Sequence, residues 1–417
     1  DPIDHTAVDA RVGDWTAVER LGSTYTLMSD LIVNHVSASS VPFTDWLARG
    51  TRSEFDGMFL TLGSVFPDGA TEADLTTIYR PRPGLPFTPY VTGDGTRRLM
   101  WTTFTGQQID IDVEHPAGWR YLTGVLDRFA RSAVSAIRLD AAGYAIKRAG
   151  TTSFMIAETF EFIGRLVEEA HRRDMEVLVE IHADAATQAD IAGRVDWVYD
   201  FVLPPLVLDA LFQADSRPLE HWLRRRPINA VTVLDTHDGI GIVDVAGLLP
   251  PERIDALVEG IHDRTGGESR RATGAAASNL DLYQVNSTFF SALGGDERRY
   301  LTARAIQLFV PGVPQVYYVG LLAGANDMDL LASTDVGRDI NRHRYTLEEV
   351  AADLDRPVVR SLMELLRLRA DHPAFDGSFE VVGSGDHELD LSWTNGDAHV
   401  GLRVDLASGD HEIRQRV

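Results

Sequence analysis

The segment from Ser135 to Tyr144, with the sequence SAIRLDAAGY, constrains the fold of this chain more than any other. Apolar residues run almost without interruption from Val134 to Leu139, which is typical of a strand buried on both faces of a parallel sheet. The strand ends at Asp140 and is followed at once by small residues. An aspartate in that position either caps the following helix or serves a pocket at the end of the sheet. The segment alone leaves both interpretations open.

Other apolar strands also end in polar residues, and this repetition favours the pocket. The strand ends are Asn34 and His35, then Arg138 and Asp140, then Glu180 and His182, then Asp235, His237 and Asp238. Strands alternate with helical patterns along the chain, which indicates an α/β fold with a parallel sheet, and the length favours a (β/α)8 TIM barrel. The C-terminal ends of the strands of such a barrel face one mouth, so we expect these side chains to converge.

The domain organisation follows from where this alternation is lost. Residues 37–105 are rich in glycine, proline and aromatic residues, which indicates an inserted lobe rather than disorder. Residues 1–36 and 106–371 are assigned to the barrel, with a further insertion at about 240–286. Short alternating segments between residues 372 and 417 predict a small C-terminal antiparallel β domain.

Composition narrows the partners of the protein. A formal net charge of -23 argues against nucleic acid, whose phosphate backbone would be repelled. For the same reason, a phosphate-bearing substrate could bind only where arginine, histidine or backbone N–H groups reverse the field. The chain contains no cysteine, which excludes disulfides and fits a cytoplasmic protein. No apolar run approaches the roughly 18 residues of a membrane span.

The carboxylates at the strand ends point to one chemistry in particular. Arg138 lies two residues before Asp140, on the same face of the strand, and is the natural partner of that charge. A second acid in a less charged setting would stay protonated. Two carboxylates that differ in this way, around a sugar-sized pocket, suit glycosyl transfer through an oxocarbenium-like transition state. The mixture of aspartate and histidine leaves a metal site open as the alternative.

Four segments resemble the ordered signature regions of the α-amylase superfamily, glycoside hydrolase family 13: DLIVNH, RLDAAGY, VLVEIH and LDTHD. Five more, RPRPGLPFT, QQIDID, AAASNLDLYQVN, PGVPQVYYVG and GRDINRH, are similar to the sucrose phosphorylases of that family, and this similarity covers nearly the whole chain. The resemblance implies a lobe inserted after the third barrel strand. It also implies a reversible reaction in which sucrose and phosphate give α-D-glucose 1-phosphate and fructose with retention of configuration.

In this resemblance Asp140 is the nucleophile, Glu180 is the general acid and then base, and Asp238 stabilises the transition state. The residues that resemble the glucose pocket are Asp1, His35, Phe104, Arg138, Tyr144, His237 and Arg338. Those that resemble the acceptor side are Arg82, His182, Leu282 and Tyr283 for phosphate, with Asp281 and Gln284 for fructose. Phe104 and His182 also fit plain core positions. Sucrose phosphorylases have no calcium requirement, so we expect no metal and no cofactor; the expected partners are the small-molecule substrates, and a homodimer is compatible with the resemblance.

The family has a first strand and helix ahead of the segment that resembles DPIDH, whereas this sequence opens with it at Asp1. We therefore expect the sequence to be part of a longer protein, or else an inactive relative that at most binds sugar. Another alternative keeps the mechanism and changes the acceptor, so that the donor is sucrose 6-phosphate, glucosylglycerate or glucosylglycerol. Asp281 would repel an acceptor that carries an anion, which favours unphosphorylated sucrose.

Overall fold

The computed structural model describes residues 3–81, 84–275, 284–383 and 385–416. Two compact units make up the chain: Asp1–Ile181 with Gly193–Val198, and His182–Ala192 with Tyr199–Val417. Within each unit, the residues pack mainly against other residues of the same unit. The boundaries of barrel, lobe and C-terminal domain that we drew from the sequence stay a prediction.

Parallel strands form the centre of the first unit. Its strands are β1 (Leu27–Ile32), β2 (His35–Ser37), β3 (Phe87–Val91), β4 (Arg97–Trp101), β5 (Gln108–Asp110), β6 (Val134–Asp140), β7 (Glu176–Val179) and β8 (Trp197–Asp200), of which Trp197 and Val198 belong to this unit. Strand β6 lies between β1 and β7, and both neighbours run parallel to it. Ile137 and Leu139 are completely buried there, and burial of each such side chain stabilises the fold by about 1.5–3 kcal/mol. The strand predicted from Val134 to Asp140 is therefore confirmed.

Helices connect and cover these strands. They are α1 (Trp15–Gly22), α2 (Val41–Arg49), α3 (Leu62–Val65), α4 (Glu72–Thr77), α5 (Pro116–Ala130) and α6 (Ala157–His171). The pattern of residues 116–131 predicts a helix, and α5 confirms it. Proline at position 116 suits the first turn, where no backbone N–H is needed. Residues 37–105 are more regular than predicted, since they contain α2 to α4 and the antiparallel pair β3–β4. The aromatic residues of this segment contribute to a small core that includes Phe66 and Trp101.

The second unit contains most of the remaining elements. Its strands are β9 (Ala230–Thr232), β10 (Ile240–Gly241), β11 (Gln284–Val285), β12 (Val313–Pro314), β13 (Ser378–Val382), β14 (Glu388–Asn395), β15 (Ala398–Asp405) and β16 (Asp410–Arg416). Its helices are α7 (Ala185–Ala192), α8 (Leu203–Gln213), α9 (Arg217–Leu223), α10 (Pro251–Arg264), α11 (Glu268–Ala275), α12 (Phe289–Ala292), α13 (Glu297–Phe309), α14 (Tyr318–Leu321), α15 (Met328–Thr334), α16 (Leu347–Leu354) and α17 (Pro357–Asp371). Strands β13 to β16 form an antiparallel sheet in sequence order, which confirms the predicted C-terminal β module.

Two predicted strands were too long. The apolar run of residues 195–203, which is followed by Pro204 and Pro205, predicts a strand over its full length. The strand ends at Asp200, and the two prolines instead occupy the first turn of α8. Proline is tolerated there for the same reason as in α5. Residues 230–238, with the sequence AVTVLDTHD, likewise predict one continuous strand. It is regular only as β9, so its acidic end lies in the loop that follows. In the part of the chain that the structure describes, no helix is both long and apolar enough to span a membrane.

Candidate active site

Asp140 ends strand β6 beside the arginine that the sequence pairs with it. One guanidinium nitrogen of Arg138, Nη1, lies 2.9 Å from Asp140 Oδ1 and 3.3 Å from Asp30 Oδ2 on β1. The Arg138 side chain is almost buried, whereas that of Asp140 keeps 27% of its surface exposed. The carboxylate is therefore held by a fixed cation and is still open to a ligand. The parallel register, which places Asp30 opposite Arg138, accounts for the second contact, which we did not predict.

Glu180 follows the neighbouring strand β7 and lies next to Asp140. The backbone N–H of Glu180 donates to the carbonyl of Leu139 at 3.1 Å, which extends the pairing of β6 and β7. The backbone N–H of Ala141 donates to Glu180 Oε2 at 3.3 Å. Ala141 has a positive φ of 55°, a conformation that costs a non-glycine residue about 1 kcal/mol or more and occurs often at functional sites. This turn brings the two predicted catalytic acids to one end of the sheet.

The predicted pocket residues His35, Phe104 and Tyr144 contact one another in the first unit. His35 and Phe104 pack edge to face with ring centroids 5.4 Å apart, and Phe104 and Tyr144 do so at 5.0 Å. Gln108 Nε2 lies 3.1 Å from His35 Nε2. Burial lowers the pKa of His35, against the opposing effects of Asp110 and Asp140. His35 is therefore suited to hydrogen bonding as a neutral imidazole.

A buried lysine that we did not predict supports this cluster. Lys147 Nζ lies 2.9 Å from Asp110 Oδ2 and 2.9 Å from Asn34 Oδ1, and it also donates to the carbonyl of Tyr144. Burial lowers the pKa of Lys147, and Asp110 acts in the opposite direction. The ammonium group thus joins the residue before His35 to the backbone of Tyr144. No cluster of three or more His, Cys, Asp or Glu that could hold a metal occurs among the described residues.

Asp238, in the second unit, is surrounded by positive charge. Arg338 Nη1 lies 2.7 Å from Asp238 Oδ1, and Arg342 Nη2 and His237 Nε2 lie 3.4 and 3.6 Å from the same oxygen. Burial acts to raise the pKa of Asp238, but the charges of Arg338, His237, His182 and Arg342 outweigh it and lower the pKa. Asp238 is therefore ionised. With its amide oxygen turned towards the guanidinium, Gln284 accepts from Arg338 Nε at 2.9 Å.

The side chain of His182 is 5% exposed and has a partner that the sequence did not reveal. Its Nδ1 lies 2.9 Å from Asp244 Oδ2, and its ring stacks on Phe201 with centroids 3.9 Å apart. Asp235, which we grouped with the other acidic strand ends, has a different position. It forms an ion pair with Arg304, and both side chains are buried. Asp235 is thus part of the interior of its unit.

The predicted site residues are divided between the two units. Those in the first unit are His35, Phe104, Arg138, Asp140, Tyr144 and Glu180, and those in the second are His182, His237, Asp238, Gln284 and Arg338. Asp1, Arg82, Asp281, Leu282 and Tyr283 lie outside the described residues. The roles of all of them stay a prediction.

Similarity to known proteins shows the family to which this chain belongs. No family model matches the chain. Sucrose phosphorylase from Agrobacterium vitis is 56% identical over an alignment of 420 positions, which covers 99% of this chain and 86% of that protein. The crystal structure of sucrose 6F-phosphate phosphorylase from Thermoanaerobacter thermosaccharolyticum is similar with a TM-score of 0.93 and 35% identity, over 99% of this chain and 85% of that one. The α-amylase from H. orenii, at 14% identity and a TM-score of 0.68 over 97% of this chain and 76% of that one, shares the fold.

The fold is that of the α-amylase-type TIM barrel enzymes with a C-terminal antiparallel sheet, as the sequence predicts. The similarity in sequence extends over almost the entire chain and is well above what a shared fold requires. The chain belongs to the sucrose phosphorylases of glycoside hydrolase family 13.

Proposed function

We propose that this protein catalyses the reversible phosphorolysis of sucrose to α-D-glucose 1-phosphate and fructose by two successive displacements. The observation that carries this proposal is the position of Asp140 and Glu180 at the ends of adjacent strands, with Arg138 beside the first carboxylate and the N–H of Ala141 donating to the second. Retaining glucosyl transfer uses a pair of carboxyl groups, one as the nucleophile and the other as the general acid and base. The sucrose phosphorylase from Agrobacterium vitis supports sucrose as the substrate.

In the first displacement Asp140 is the nucleophile. Its carboxylate forms a bond to the anomeric carbon of the glucosyl unit while the bond to the fructosyl oxygen breaks. Glu180 gives its proton to that oxygen, and fructose leaves. Arg138 keeps the Asp140 carboxylate oriented, at 2.9 Å, through attack and departure.

In the second displacement phosphate replaces fructose. A phosphate oxygen attacks the anomeric carbon, its proton passes to Glu180, and Asp140 is released. In a chain with a net charge of -23, phosphate needs local cations or N–H donors, and we assign His182 to this task. Arg82, Leu282 and Tyr283 complete the proposed phosphate contacts, with Asp281 and Gln284 on the fructose side.

The glucosyl unit stays bound in the proposed pocket during both displacements. We assign its hydroxyl groups to Asp238, which the surrounding cations keep ionised, and to Arg338. The other proposed contacts are His35, Phe104, Tyr144 and His237, with Asp1 at the far edge of the ring. Hydrogen bonds from sugar hydroxyls to an ionised acceptor become stronger as positive charge develops on the ring in the transition state.

Replacing Arg338 with methionine is expected to move the acid limb of the kcat/KM profile to higher pH. Arg338 is the strongest of the charges that lower the pKa of Asp238 against burial. Without it, the remaining charges oppose burial less strongly, so the pKa of Asp238 rises and the active anionic form is lost at a higher pH as the solution is acidified. Initial rates of sucrose phosphorolysis between about pH 4 and 8 measure the effect.

The matched control is Arg342→Met, because Arg342 is 3.4 Å from the same carboxylate oxygen and Arg338 is 2.7 Å from it. Arg342→Met should move the limb less. An Arg338→Met profile that only loses height, with its acid limb in place, would contradict the assignment of Asp238 as an essential anion.

Among acceptors, we expect fructose to be glucosylated from glucose 1-phosphate with a higher kcat/KM than fructose 6-phosphate, glycerate or glycerol. The sucrose 6F-phosphate phosphorylase of similar structure makes fructose 6-phosphate the decisive competitor. The acidic residue proposed for the fructose side, Asp281, would repel its phosphate. Initial rates with each acceptor test this expectation. Asp140→Asn protein that is purified by the same procedure controls for contaminating activity.

Faster transfer to fructose 6-phosphate or glycerate would replace sucrose as the proposed substrate. A folded chain without transfer to any of these acceptors would leave the sugar-binding relative as the better proposal. A cytoplasmic location, which fits the cysteine-free composition, and assembly as a homodimer are parts of the proposal that rest on sequence and resemblance alone.

A further inference from the structure

The imidazole of His182 is held on two sides within the second unit. Asp244 Oδ2 lies 2.9 Å from its Nδ1, and the ring of Phe201 covers one face, inclined by only 10°. His182 also lies close enough to Asp238 for its charge to help lower the pKa of that carboxyl. The ring is therefore held near Asp238 in one fixed orientation.

Asp244 carries a carboxylate that is completely buried. Its side chain has no exposed surface, and its second oxygen, Oδ1, accepts from Gln188 Nε2 at 3.1 Å. Among the ion pairs of the described residues, the one that includes Asp244 is with His182. Burying a carboxylate is costly unless it is hydrogen-bonded or paired. The contacts with His182 and Gln188 offset part of this cost, and the carboxylate in turn fixes the imidazole.

Gly241 leaves the space that this contact needs. A Cβ atom at position 241 would collide with Asp244 Oδ2 and lie 3.4 Å from His182 Nδ1. Gly241 pairs with Gln284 across the short antiparallel ladder β10–β11, so its backbone is fixed on the other side. Any side chain here would push the carboxylate away from the imidazole.

We propose that Asp244 is a positioning residue for phosphate, which acts by holding the Nδ1–H of His182. The proposal rests on the function proposed above, because it names what orients the phosphate-binding histidine. With Nδ1–H bound to the carboxylate, the ring can meet a substrate only through Nε2, and a protonated ring donates Nε2–H to a phosphate oxygen. An orienting carboxylate of this kind fixes both tautomer and ring rotation.

The test is Asp244→Asn, which keeps the shape of the side chain and removes its charge. The KM for phosphate is expected to rise about tenfold, as for the loss of a charged hydrogen bond, whereas the KM for sucrose should change less than about twofold. Asp255→Asn, which removes an exposed carboxylate from α10 of the same unit, is the control and should leave both constants unchanged. Equal effects on both substrates, or none on phosphate, would overturn the proposal.

A measurement without turnover separates this proposal from the proposed function. In protein labelled with nitrogen-15 at histidine, the His182 signals are assigned by their loss in His182→Gln. We expect a protonated Nδ1 in the native chain, a changed Nδ1 signal in Asp244→Asn and Gly241→Ala, and a response of Nε2 to inorganic phosphate. An unprotonated Nδ1 in the native chain would overturn the role of Asp244, even if sucrose phosphorolysis is observed. The expected signals without any phosphorolysis would instead reject the proposed function and retain the pair.

Discussion

Replacing Asp140 with asparagine is expected to lower the rate of sucrose phosphorolysis by at least about 10⁴-fold, because no covalent glucosyl intermediate can form. The substitution preserves the shape of the side chain, so the variant should fold. Initial rates of glucose 1-phosphate formation measure the loss, and mass spectrometry of the protein mixed with an activated glucosyl donor detects the adduct. We expect the adduct on the native chain and none on Asp140→Asn.

Asp30 provides the matched control for charge. It shares Arg138 with Asp140, at 3.3 Å, but its side chain is 59% exposed and it lies on the neighbouring strand β1. Asp30→Asn therefore removes one of the two carboxylates on the guanidinium and leaves the proposed nucleophile intact. Activity within about tenfold of the native chain is expected, since exposed ion pairs contribute only about 0–1 kcal/mol. A loss as large as that of Asp140→Asn would assign the effect to the ion-pair network.

Glu180→Gln should behave differently because it removes the proton donor and keeps the nucleophile. A donor with a good leaving group needs no acid in the first displacement, and azide needs no base in the second. Azide should therefore restore part of the activity and give a glucosyl azide of retained configuration. If azide rescued Asp140→Asn equally and with the same product configuration, the two roles assigned here would be wrong.

The strand that delivers Asp140 could be predicted from sequence because its signal is local. A continuous apolar run of this length indicates a strand that is buried on both faces. The two-residue period of a strand then places Arg138 on the same face as Asp140. The pair at 2.9 Å follows from that geometry. The element at Pro204 and Pro205 could not be predicted in this way. Proline ends strands and also begins helices, and only the surrounding structure selects between the two.

The supporting residues of the candidate site could not be predicted because their signals are not local. Lys147 meets Asp110, and His182 meets Asp244, across long stretches of chain. Neither pair has a fixed spacing that a motif would reveal. In a chain with 62 acidic residues, the sequence does not distinguish a buried carboxylate from a solvated one. The close approach that Gly241 permits is likewise visible only in three dimensions.

Asp235 is the acidic strand end for which the sequence and the structure suggest different uses, and Arg304→Met distinguishes them. Arg304 is completely buried on α13 and pairs with Asp235, whose side chain is 7% exposed. Removing the arginine leaves a buried carboxylate without its cation, so the free energy of unfolding is expected to fall by about 3–5 kcal/mol. Urea denaturation followed by circular dichroism measures this change.

Arg298→Met, on the same helix, is the control for this stability prediction. Arg298 and Asp410 form an ion pair at 3.3 Å with both side chains more than half exposed, so its loss should cost less than about 1 kcal/mol. The double variant Asp235→Asn, Arg304→Met should regain much of the lost stability, because it removes the uncompensated charge along with its partner. If the double variant were no more stable than Arg304→Met, the arginine would stabilise the unit through its packing. If Asp235→Asn alone kept its stability and lost phosphorolysis, Asp235 would belong with Asp140 and Asp238 after all.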